Sequence, residues 1–232
     1  MADSAFFTTV GWKCQGTGHI LVNKANGSEM VAVIVGEIVD DHLCCGPLVN
    51  YSPRFPKPIQ KTKNTFVIVH PHVPRFAEDF DWSIQTVLAV QTNITCSKDD
   101  QFFIKGTAHN NAMRFAVAAW EKQHQDWTAL KDANFVSEGE VDNETAKWPV
   151  PSTHKSNLDS MMLTHHVLPL PVYNENGHFV ECTDANCMLH SSLVEVHFTL
   201  KHYNIKRDNY GSFLAIPQQV IILKCSNSDL PW

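Results

Sequence analysis

From Val194 to Lys201 the chain alternates without a break: Val194, Val196, Phe198 and Leu200 are apolar, and Glu195, His197, Thr199 and Lys201 between them are polar. Successive side chains of an extended strand point to opposite faces, whereas a helix would scatter these apolar residues around its circumference. The segment is therefore expected to be a strand with one face on a core and the other toward solvent. A polar link from Asn204 to Gly211 separates it from Ser212 to Lys224, which contains Val220-Ile221-Ile222-Leu223. So short a link predicts an antiparallel neighbour. A doubly wound parallel sheet, buried on both faces, would instead read as unbroken apolar runs.

Other segments extend the same pattern. Met30 to Val39 is a β-branched run with one Gly, and Thr65 to Val69 is a second clear strand. Ile84 to Ile94 reads as a third, and Gln101 to Lys105 as a fourth, joined by the turn-forming Ser97-Lys98-Asp99-Asp100. Leu163 to Val172 resembles a strand interrupted by Pro169 and Pro171, and Pro47, Pro53, Pro56 and Pro58 make the stretch around them an extended loop. In the stretch from Asn110 to Trp127 the period changes: Met113, Val117, Trp120, His124 and Trp127 recur at three and four residues, which predicts a helix over about 111–127 with Asn110 or Asn111 as N-cap. A polar insertion follows to about residue 160. Glu121 to Glu144 holds seven acidic residues against Lys122 and Lys131, a surface suited to a protein partner.

These elements predict a single β-rich domain over 1–232: mainly β, an antiparallel barrel or sandwich with one main helix and long insertions. With 44% hydrophobic residues and 13 Phe, a disordered chain is excluded. No apolar run approaches the roughly 20 residues of a membrane-spanning helix. The opening MADSAFFTTV has neither a basic nor a long apolar region, so the expectation is an intracellular protein whose seven Cys remain thiols. The sequons at Asn26, Asn93 and Asn143 then carry no weight. A net charge of −6 excludes coating of nucleic acid by bulk attraction alone.

The rhythm of Val31 to Val39, Thr65 to Val73, Ile84 to Ile94, and Val194 to Tyr203 before Phe213 to Leu223, resembles that of OB-fold proteins. The likeness covers about half the chain. It implies a small barrel and a single-stranded nucleic-acid ligand. Two clusters have the residue types such a ligand needs, cations for phosphates and aromatic faces for bases. One is Arg54, Lys57, Lys61 and Lys63, with Tyr51 and Phe55; the other is Lys201, Tyr203, Lys206, Arg207 and Tyr210, with Phe213 behind them.

Thirteen His bring metal chemistry into consideration. His70 and His72 form an H-x-H at a strand end, which puts two imidazoles on one face, with Glu78, Asp79, His165, His166 or His197 as candidate third ligands. That arrangement is the basis of an alternative reading, a metal-dependent enzyme on a β-rich scaffold. His178, Cys182, Cys187 and His190 are spaced closely enough to wrap a structural zinc or another transition metal. Catalytic residues are not identified: there is no GxSxG, P-loop or GxGxxG. Cys44-Cys45-Gly46 and Asp40-Asp41-His42 have reactive groups without a spacing that assigns them a role. A third reading is a self-assembling β-sandwich.

Overall fold

The structure, a computed structural model, describes residues 8–52, 54, 58–94, 104–106, 111–123, 141–205 and 210–225. Its strands are β1 (Val10–Gln15), β2 (Gly18–Asn23), β3 (Ala32–Cys44), β4 (Lys63–Val69), β5 (Ile104–Gly106), β6 (Asn111–Ala118), β7 (Trp120–Lys122), β8 (His165–Val167), β9 (Val172–Tyr173), β10 (Leu193–Ile205) and β11 (Tyr210–Lys224). The helices are α1 (Pro74–Thr92), α2 (Asn143–Ala146), α3 (Lys155–Met161) and α4 (Cys182–Leu189). No helix among the described residues is long and apolar enough to cross a membrane.

Five strands close on themselves. β3 pairs with β4, β4 with β6, β6 with β11, β11 with β10, and β10 returns to β3. Of these contacts only β6 with β11 is parallel, Ala215 lying opposite Phe115. This is the five-stranded Greek-key barrel of the OB architecture. Closure decides barrel over sandwich, because the β6–β11 contact removes the edges that two stacked sheets would keep. Following the registers from Tyr203 through Ser212, Ala112, Val69 and Glu37 returns to β10 at Leu193, a slip of about ten residues, so the strands are steeply tilted.

The inward faces fill the barrel with large side chains. Phe66 stacks on Phe115 at 4.9 Å between ring centroids, and Phe115 meets the edge of Phe198 at 5.3 Å. Ile34, Ile38, Ile68, Met113, Val194, Val196, Val220 and Ile222 complete the layers. The alternation that opened the sequence reading is therefore the inner and outer wall of β10. Its pairing with β11 has a bulge where Phe198 faces Pro217 and His197 faces Gln219. Proline lacks the ladder N–H, and the bulge accommodates it.

Two expectations fail. The stretch expected as a strand at 84–94 is the second half of α1, whose buried Phe80, Ile84, Val87 and Gln91 repeat at helical spacing behind a first-turn Pro74. The β-branched content of 84–94 masked that longer period. Conversely, the helix expected over 111–127 is β6 and β7 as far as Lys122; residues 124–127 lie outside the described residues. Met113 and Phe115 point inward, yet Ala112 and Ala116 on the other face are buried too. A strand covered on both faces lacks the alternation that would mark it. The Ser97–Asp100 turn and most of the acidic insertion also lie outside the described residues.

A second, smaller core sits beyond the Ala118 end of β6. It joins Val49 and Ile59 from the β3–β4 loop to Ala119, Trp120, Leu158, Met161 and Val167. Trp120 donates through Nε1 to Thr62 Oγ1 at 3.1 Å, and Trp148 donates to the Pro47 carbonyl at 2.9 Å. The Pro-rich stretch is thus anchored at both ends by indole N–H groups.

Candidate functional site

The β3–β4 loop is held at several points. Cys45 N donates to Asn186 Oδ1 of α4 at 2.7 Å, Lys63 N donates to Asn50 Oδ1 at 2.8 Å, and the Tyr51 ring meets that of His154 at 5.0 Å. From this anchored loop Arg54, Lys61 and Lys63 are exposed. The outer wall continues from it along β4 and β6. Lys63 pairs with Ala118, Thr65 with Ala116, and Val67 with Arg114, and cross-strand partners share a face. Arg114 is exposed, as is Lys63, about 13 Å away along β6, while Thr65, Val67 and Ala116 between them are buried.

Arg114 is the residue that sequence reasoning missed, because it fell inside the expected helix. The available signal was charge. Between Asp41 and Glu78 the chain has Arg54, Lys57, Lys61, Lys63 and Arg75 and no carboxylate, and from Gln101 to Trp120 it has Lys105 and Arg114 and again none. These are the segments that contribute β4, β5, β6 and the loop. A chain of net charge −6 therefore has one barrel wall without acidic residues of its own.

The second expected cluster is elsewhere. β10 runs antiparallel to β3, so the end of β10 that leads to residues 206–209 is the opposite end of the barrel from the β3–β4 loop. Lys201 and Tyr203 lie half-buried on the outer face of β10, paired with Leu214 and Ser212 of β11 and with Ile20 and Gly18 of β2. Gly18 is needed there: a Cβ would come within 2.5 Å of the His202 carbonyl oxygen and 3.0 Å of the Tyr203 ring. On the inner face His202 packs on Phe213 at 4.5 Å and near Trp12 at 6.3 Å, and its Nδ1 is 3.4 Å from Nδ1 of His19. Phe213 is core. Tyr210 begins β11 opposite Ile205. Lys57, Lys206 and Arg207 lie outside the described residues.

Five of the described histidines turn to carboxylates. His72 Nδ1 is 2.6 Å from Glu37 Oε2, whereas His70 Nε2 lies 3.8 Å from Asp81, so the H-x-H pair diverges. His190 meets Asp40 at 2.9 Å, away from Cys182 and toward the exposed bulge of β3 that contains Asp40, Asp41 and His42. His197 contacts Glu195, and His166 contacts Glu121. Among the described residues no three His, Cys, Asp or Glu side chains are grouped so as to hold a metal ion. Burial and the neighbouring Cys44 push the Cys45 thiol up to about 12, which keeps it protonated and unsuited to nucleophilic attack. Burial beside Glu181 likewise raises Cys182 to about 11.

No family model matches the chain, and no curated protein matches it in sequence. Among solved structures it is similar to gp2.5, a single-stranded DNA-binding protein encoded by bacteriophage T7, with 10% identity, a TM-score of 0.48, and 88% of this chain and 98% of that one covered. It is also similar to the single-stranded DNA-binding protein from bacteriophage Enc34, with 10% identity, a TM-score of 0.44 and coverage of 96% and 92%. The Enc34 protein in complex with single-stranded DNA matches at 9% identity and a TM-score of 0.45, with 95% and 96% covered.

Proposed function

We propose that this protein binds single-stranded nucleic acid along the wall formed by the β3–β4 loop, β4 and β6. The observation that carries the reading is the acid-free stretch between Asp41 and Glu78, whose exposed Arg54, Lys61 and Lys63 are joined on the same wall by Arg114. In small barrels of this architecture, the face of strands two and three, the loop between strands one and two and the loop between strands four and five take oligonucleotides. Here those are β4, β6, the β3–β4 loop and the link between β10 and β11. Cations placed along the loop and the outer side of the strands neutralise phosphates of a flexible strand. Lys57 belongs to the same loop. Lys201, Tyr203, Lys206, Arg207 and Tyr210 are proposed as a second set of contacts, reached by the part of the strand that passes over the far end of the barrel.

The test is a titration of labelled single-stranded DNA and RNA oligomers, with a duplex as control, at low and moderate salt. Saturable binding to single strands that weakens with salt is the expected result. No binding of either oligomer at low salt overturns the proposal.

A further inference from the structure

We infer that one base of the bound strand enters a cavity between the β3–β4 loop and α3, where side-chain carboxamides read its edge. The inference rests on the nucleic-acid reading above and adds a site that discriminates among bases. The cavity has a volume of about 260 Å³. That is below the about 300–1,000 Å³ of clefts for drug-sized ligands and suits a single heterocycle. The buried Ile59 and Met161 of the second core are among its lining residues, and most of the surface it presents is polar. Tyr51 forms a wall, held in place by the ring of His154. Around the rim stand Gln60, Asn157 and Ser160, all exposed.

This distribution matches a nucleobase, which has two apolar faces and a polar edge. The tyrosine ring takes one face, and the polar lining meets the edge. A carboxamide presents a donor and an acceptor side by side, the pattern that base edges complement. Gln60 immediately precedes Lys61, so the same short segment offers a phosphate contact and a base contact. Ser160 Oγ donates to the Asn157 carbonyl at 2.9 Å, which fixes the turn of α3 that presents the Asn157 side chain. Stacking on aromatic rings tolerates any base, so discrimination has to come from such edge contacts.

The experiment compares dT, dA and dC homopolymers of equal length on the full chain and on the Gln60→Ala/Asn157→Ala variant. Both substituted side chains are exposed, so the variant keeps its fold, and its circular dichroism and melting profile check this. The wild type is expected to prefer one homopolymer by about tenfold. The variant is expected to reduce that preference to less than about twofold while its salt slope stays unchanged, because no phosphate contact is lost. Binding without preference in the wild type, or a preference that survives in the variant, overturns the base pocket and leaves nucleic-acid binding intact. Failure of every oligomer to bind at low salt overturns both.

Discussion

The two ends of the barrel are both basic in sequence and differ in what surrounds the cations. At the β3–β4 end Arg54, Lys61 and Lys63 project from an anchored loop, and neither that loop nor β4 nor β6 contains a carboxylate. At the β10–β11 end Lys201 is half-buried on the outer face of β10. Asp208 stands in the link that follows. Counting cations treats the two clusters alike. Potential depends on exposure and on the nearest opposite charge, and the loop segment has the longer run of sequence without a carboxylate.

The comparison can be broken most drastically through what the two ends share. Phe115 stacks on Phe66 and meets Phe198, so Phe115→Ala is expected to lower stability by about 3–5 kcal/mol, with both ends losing order together in chemical denaturation. Separate transitions for the two ends would mean that they are not parts of one cooperative barrel. Charge removal sharpens the contrast. Lys63→Ala with Arg114→Ala is expected to weaken oligonucleotide binding about tenfold and to lower the salt slope by about 1.4, two phosphate contacts at about 0.7 each. Lys201→Ala is expected to lower the slope by clearly less than the about 0.7 of one full phosphate contact. Equal losses per charge at the two ends would erase the distinction.

The smallest effect concerns the support of the loop. Asp142 caps α2, accepting from Thr145 N at 2.8 Å, and Thr145 Oγ1 accepts from Val167 N at 2.9 Å, which ties the cap to the second core. Burial pushes the Asp142 carboxyl up, but hydrogen bonds from Thr145 and the Glu144 backbone, with His166 nearby, hold it below the ordinary value of 3.8. A depressed carboxyl stabilises the fold above its unfolded pKa, and that contribution is lost as pH falls through the folded value. Asp142→Ala is therefore expected to cost about 1 kcal/mol at neutral pH, with the two proteins converging in acid. Hydrogen exchange should quicken in residues 46–52 of the loop and stay unchanged in β10 and β11.

Much of the barrel was legible because its signal is local. The alternation of 194–201, the run at 30–39 and the strand at 65–69 depend on neighbours two residues apart, and the β10–β11 pairing depends on a short link. The metal readings illustrate the limit of spacing. An H-x-H puts both histidines on one face only if the strand continues through them, and here β4 ends at Val69 before His70. The loop cluster was legible as charge, while its partner Arg114 was not.

By itself the sequence determined the β-rich class, the hairpin that closes the barrel, and the presence of two basic segments, because alternation, turn composition and charge are properties of adjacent residues. Tertiary structure alone decided that 74–92 is a helix and 111–118 a strand buried on both faces, since burial by distant segments overrides local propensity. It also decided closure, through one parallel contact between Phe115 and Ala215 that no local pattern encodes. That contact, and the antiparallel pairing of β4 with β6, put Arg114 on the same side of the barrel as Lys63 and the second basic segment at the other end.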